Sequence, residues 1–216
     1  MISMWIVFLP IILFLLWRFS KKPTHDGIWR PDQAQLPQII FAGDLVTIKN
    51  IRHCSYRGLK DFDVKYYDKT FKFSDLKKAD FIFQPFKSQP LAAHTFVSFN
   101  FGGEYITISI ESRRRKLGAI NIVKGLLKYY CLIYIVADEQ DMMALRPLHQ
   151  KDKVYIYPLN AKEENIKKLF LDMAKTINEL YEQPQLYNSF TNNCTTALIK
   201  HINHVWPLQV PRSWLI

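Results

Sequence analysis

A chain of 216 residues that is 49% apolar, with a net charge of +10, can bury a core of ordinary size and is too apolar to be intrinsically disordered. Three cysteines, at 54, 131 and 194, are an odd number and make no disulfide framework. The basic residues are scattered apart from one run, Arg113-Arg114-Arg115-Lys116; with no nucleic-acid motif present, membrane lipid is the partner this charge suggests, not nucleic acid.

Residues 2–17 are almost wholly apolar and end in Arg18, Lys21 and Lys22. At ~1.5 Å per residue they span roughly 24 Å, the short end for a membrane helix. No basic region precedes them and no small-x-small cleavage site follows, so residues 1–22 are expected to be an uncleaved transmembrane anchor. The flanking charges, by the positive-inside rule, would leave the rest of the chain in the cytoplasm. Residues 23–37, with Pro23, Gly27 and Pro31, read as a linker, and residues 38–216 as one folded domain.

Within that domain Gln38–Phe41 and Leu45–Asn50 flank Ala42-Gly43-Asp44, a hairpin signal. His53–Lys69 is rich in tyrosine and charge and resists assignment. Thr70–Phe73 and Phe81–Gln84 read as short strands separated by a polar turn. His94–Phe101 and Glu104–Glu111 flank Gly102-Gly103, a two-residue hairpin turn. In that register Val97 meets Ile108 and Phe99 meets Ile106 on one face, and Ser98 meets Thr107 on the other. A slip of one residue would set apolar side chains against polar ones. The same register sets His94 opposite Glu111, where a carboxylate can orient an imidazole and stabilise its charged form.

Lys116–Tyr130 carries Ala119, Ile120, Val123, Leu126 and Leu127 on one helical face. Cys131–Ala137 is a buried strand, followed by a short helix around Gln140–Leu145 and a strand at Val154–Tyr157. Ala161–Glu182 is the clearest helix, with Ile166, Leu169, Phe170, Met173, Ile177, Leu180 and Tyr181 in one stripe and a capping box suggested by Asn160 and Glu163. A loop, Gln183–Asn193, leads to Cys194. The tail from Val205 to Ile216, with Pro207 and Pro211, is expected to lie irregularly on the surface or the membrane.

In Thr191-Asn192-Asn193-Cys194-Thr195-Thr196, residues that cap helices lead into a cysteine followed by an apolar stretch at helical spacing. Cys194 should sit in the first turn, where unpaired N–H groups and the helix dipole favour a thiolate. The plainer reading is a small buried apolar residue. Of the histidines, His201 is roughly 10 Å along the same helix from Cys194. His204 with His201 has the spacing for a metal but no further ligands. His25 lies in the linker, and His53 and His149 lack an evident orienting carboxylate. His94, with Glu111 behind it, is the best base. By residue type Cys194, His94 and Glu111 meet the requirement for a nucleophile, a base and an orienting group. No cofactor or metal site is expected.

A histidine opening a strand, a hairpin, then much later a helix-initiating Asn-Cys resembles the circularly permuted papain-like (NlpC-type) fold. The fold class expected is therefore α+β, an antiparallel sheet packed with helices. More closely, Ile48-Lys49-Asn50-Ile51-Arg52, Tyr56-Arg57, Ala93-His94-Thr95, Ile108-Ser109-Ile110-Glu111-Ser112-Arg113, Tyr134-Ile135-Val136-Ala137-Asp138-Glu139 and the run at Cys194 resemble the Lnb N-terminal periplasmic domain family. The resemblance implies a domain attached to the bacterial inner membrane and facing the periplasm, against the charge rule, and related to lipoprotein N-acyltransferases. It carries over Cys194, His94 and Glu111 as the catalytic set; the oxyanion is expected to be held by backbone N–H groups at the helix start, with the Asn193 or Asn192 side chain in support. The expected reaction moves an acyl chain from phospholipid to a lipoprotein amine through an acyl-thioester. A cell-wall peptide amidase or peptidase with the same triad, and a non-catalytic membrane-tethered binding module, are the alternatives.

Overall fold

The structure, a computed structural model, describes residues 8–10, 12–13, 16, 20, 22–58, 61–87, 89–116, 129–144, 153–206 and 210–211. The chain forms β1 (Gln38–Ala42), β2 (Leu45–Tyr56), β3 (Phe62–Lys72), β4 (Leu76–Phe86), β5 (Gln89–Phe101), β6 (Glu104–Arg113) and β7 (Cys131–Asp138), then helix α1 (Glu139–Ala144), β8 (Tyr155–Pro158), α2 (Glu163–Glu182) and α3 (Cys194–Val205). The strands make one 8-stranded sheet in the order β1-β2-β7-β6-β5-β4-β8, with β3 also paired to β2. Pairings are antiparallel except that of β2 with β7, which is parallel at Arg52–Ala137. The class is α+β.

The hairpin at the centre follows its sequence. Gly102 and Gly103 have φ of 66° and 102°, conformations that glycine adopts without strain. The β5–β6 register pairs Val97 with Ile108, Ser98 with Thr107 and Phe99 with Ile106. Alternation then assigns each face. Val97, Phe99, Ile108, Ile110, Tyr134 and Val136 pack beneath α2 and α3, and Phe96, Ile133, Ile135 and Ala137 pack with Met142 of α1.

The α2 stripe is the expected one. Ile166, Leu169, Phe170, Met173, Ile177 and Leu180 are buried, and Phe170 meets Phe99 and Phe101 edge-on at 5.2 and 5.3 Å, a favoured geometry for aromatic rings. Tyr181 departs from the stripe at 42% exposed. The suggested Asn160 box is not the cap either: Lys162 is the N-cap and makes no side-chain cap bond.

The segment that resisted assignment is the long β2–β3 hairpin. Its register shifts between Ile48 and Ile51, where Asn50 has φ 58°. Asparagine tolerates that conformation, and here its N–H donates to Asp68 Oδ1 and its Nδ2 to the Leu36 carbonyl.

Residues 23–37, expected as a linker, lie against the sheet. Trp29 bridges Arg115 in antiparallel fashion, and Pro31–Gln33 forms a 3-10 turn with Asp32 and Gln33 buried. Most of the expected helix from Lys116 to Tyr130 and most of the expected anchor fall outside the described residues, as does His149. Among the described residues no helix is long and apolar enough to cross a membrane.

Candidate active site

Asn193 caps α3 and Cys194 is its first residue. Asn193 Oδ1 accepts from the Thr196 N–H at 2.8 Å, and Thr196 Oγ1 accepts from the Asn193 N–H at 2.9 Å. This is a reciprocal capping box. Cys194 is thus held at the positive end of a helix, with the backbone N–H groups of Cys194 and Thr195 left without a protein acceptor among the described residues.

The β5–β6 ladder ends at Phe96–Ser109, and the N-terminus of α3 lies against β5 just beyond it. Thr95 Oγ1 is 3.3 Å from Thr195 Oγ1, and Cys194 Sγ is 3.9 Å from the Ala93 carbonyl oxygen. His94 and Cys194 therefore meet across a hundred residues of chain. Burial pushes the Cys194 thiol up, but the charge of His94 and a hydrogen bond from it, with the Thr95 N–H and the Thr195 hydroxyl, outweigh that and bring it down to about 6.

Glu111 reaches His94 through Ser109, not by the direct cross-strand pairing that the register suggested. His94 pairs with Gln84 of β4, outside the β5–β6 ladder. Its Nε2 is 3.8 Å from Glu111 Oε1 but 2.8 Å from Ser109 Oγ. Ser109 Oγ donates to Glu111 Oε1 at 3.1 Å. A hydroxyl has one hydrogen, so with that hydrogen on Glu111, Ser109 must accept from Nε2–H. The neutral imidazole then carries its proton on Nε2 and presents Nδ1 as the base. Ser109 was legible in principle: it shares a strand face with Glu111 at i, i+2 and lies diagonal to His94 in the register.

The side chains named for the oxyanion are engaged elsewhere. Asn193 completes the cap and its Nδ2 donates to the Ser189 carbonyl at 2.6 Å. Asn192 sits in the preceding turn, where its Nδ2 donates to the Leu186 carbonyl at 3.5 Å.

Other titratable side chains pair among themselves. Asp141 accepts from Arg52 Nε at 2.7 Å and Nη2 at 2.9 Å, from the Cys54 N–H at 3.0 Å and from the Tyr56 hydroxyl at 3.2 Å. Burial pushes the Cys54 thiol up to about 12, so it is inert. All three cysteines are free. His53 does have a carboxylate, Asp138, at 2.7 Å, reached from a strand 85 residues on. His201 and His204 share Asp172 at 2.6 and 2.7 Å, and His201 Nε2 meets the Tyr134 hydroxyl at 2.7 Å. Among the described residues no group of three or more such side chains could hold a metal ion.

Residues 62–214 match the sequence profile of the Lnb N-terminal periplasmic domain family, a span that includes His94, Ser109, Glu111 and Cys194. No curated protein and no solved structure matches the chain.

Proposed function

The chain belongs to the Lnb N-terminal periplasmic domain family, and from that premise we propose that it is a thiol acyltransferase acting at the bacterial inner membrane. The observation that carries the reading is a cysteine in the first turn of α3 beside a histidine whose far nitrogen is tied through Ser109 to Glu111. A helix-initiating cysteine served by a histidine from an earlier strand is also what a permuted papain-like fold would supply.

In the first step His94 Nδ1 takes the proton of Cys194, and the thiolate attacks the carbonyl carbon of a phospholipid ester. The Cys194 and Thr195 N–H groups face the oxyanion. Collapse breaks the ester C–O bond, the glycerol oxygen leaves with the proton from His94, and an acyl-thioester remains. In the second step an amine, the N-terminus of a lipoprotein, attacks the thioester. His94 takes the amine's proton, the C–S bond breaks, and the proton returns to the thiolate. Throughout, Ser109 and Glu111 hold Nε2–H and fix the orientation of the ring. The apolar residues 2–17 would serve as a single-pass anchor, with the domain on the periplasmic side.

With labelled phospholipid, wild type should gain an acyl adduct on Cys194 by intact mass, removable by hydroxylamine and absent in Cys194→Ser. An active wild-type enzyme that never carries the adduct would refute the thioester. Turnover of cell-wall peptide without lipid would replace this reading by an amidase. An active alkaline phosphatase fused after Ile216 is the expected topology result, and a reporter active only in the cytoplasm would overturn it.

A further inference from the structure

We propose that Gln33 is a positioning residue of this active site, delivered by the arm that precedes the family-matched region. The inference rests on the reading of Cys194, His94 and Glu111 as the catalytic set. Ser109 holds one oxygen of the Glu111 carboxylate, and a donor on the other oxygen limits its rotation about its own axis. Gln33 supplies that donor. Its Nε2 donates to Glu111 Oε2 at 3.1 Å and to the Ser112 carbonyl at 3.3 Å, and its Oε1 accepts from the Arg114 N–H at 2.7 Å. The side chain is buried, at 1% exposed, and both ends of its amide are used.

The arm is built to hold it there. The Arg30 N–H donates to the Arg114 carbonyl and the Lys116 N–H to the Ile28 carbonyl. Buried Arg113 donates to the carbonyls of Gln33 at 3.0 Å and Ala34 at 2.7 Å, and its guanidinium stacks on Trp29 at 4.3 Å. Arg52 reaches the Asp32 carbonyl at 3.1 Å. The chain between the apolar N-terminus and the domain thus docks as part of the relay Gln33–Glu111–Ser109–His94. A neutral amide suits the role, because it fixes Glu111 without neutralising the charge that His94 uses. Among the described residues, titratable groups that face Glu111 include His94 from β5, Arg114 beyond the end of β6 and Tyr187 from the loop before α3.

The test is the pH profile of Cys194 alkylation in the full chain for wild type, Gln33→Glu, Gln33→Met and His94→Ala, with folding followed by circular dichroism. Gln33→Glu keeps the acceptor for the Arg114 N–H and replaces the donor by a second carboxyl group against Glu111. At acid pH the two carboxyls share a proton, which restores the donor; above the raised pKa of the pair they repel. Gln33→Glu should therefore match wild type at acid pH and fall several-fold below it as the shared proton leaves, a limb that wild type lacks. Gln33→Met should react more slowly than wild type, with its midpoint moved up. If His94→Ala moves the midpoint and Gln33→Glu follows wild type throughout, this inference falls and the catalytic reading stands. If His94→Ala leaves the midpoint in place, the catalytic reading falls with it. Loss of folding in both Gln33 variants would make the residue a stabilising one and overturn the proposal.

Discussion

Replacing His94 by alanine tests the pairing on which the site depends. Burial is the largest influence on the Cys194 thiol and raises it; His94 is the largest that lowers it, and the net value is about 6. Without the imidazole the strongest opposition to burial is gone, leaving the Thr95 N–H, the Thr195 hydroxyl and the helix end, so the midpoint should rise to the ~8.5 of free cysteine or above. At about pH 5.5 the thiolate fraction would drop from about one quarter to about one in a thousand. The more basic thiolate is intrinsically about 10–20-fold more nucleophilic, so the alkylation rate should fall by about 10–20-fold. Iodoacetamide labelling from about pH 5 to 10, quantified by peptide mass spectrometry, reads both quantities. Cys54, whose thiol is pushed up to about 12, is a slow internal control. A variant midpoint within about half a unit of wild type would refute the pairing.

Three further outcomes are expected. Ser109→Ala should raise the Cys194 midpoint less than His94→Ala does, because Glu111 already lies 3.8 Å from Nε2 and can close part of the gap; by leaving buried polar atoms unpaired it should also cost about 1–3 kcal/mol in urea unfolding. Asp141→Ala strands the buried Arg52 guanidinium, whose Nε it holds at 2.7 Å, and should cost about 3–5 kcal/mol by the same measurement. Burial lowers the His201 pKa in the folded state, so between that value and ~6.5 the unfolded chain binds more protons. Stability should therefore fall as pH drops through that window and be flat above it. The difference between wild type and His201→Gln, followed by urea unfolding against pH, isolates this slope, and a difference that does not change with pH would refute it.

How much could be read in advance depended on how local the information was. The Gly102-Gly103 hairpin, its register, the α2 stripe and the helix start at Cys194 are properties of neighbouring residues. Period two, period 3.6 and capping chemistry write them into the chain. The β2–β3 hairpin escaped because its covered face changes sides. Phe62, Val64 and Tyr66 are partly covered on one face of β3, and Tyr67 and Phe71 are covered on the other, so no single alternation runs through it.

The sequence alone therefore carried the hairpin and the cysteine's place in the first turn of a helix, while the α+β class and His94 as its partner came with the family resemblance. Setting His53 aside for want of a carboxylate did not hold, because Asp138 lies beside it. What the tertiary structure decided is how the side-chain atoms meet. Ser109 stands between His94 and Glu111 because the ladder stops at Phe96–Ser109. Asn193 is spent on capping its helix with Thr196. His53 finds Asp138 in another strand, and Gln33 reaches Glu111 from 78 residues away. These are hydrogen bonds set within about 3 Å between groups far apart in the chain, and no periodicity or spacing along the chain encodes them.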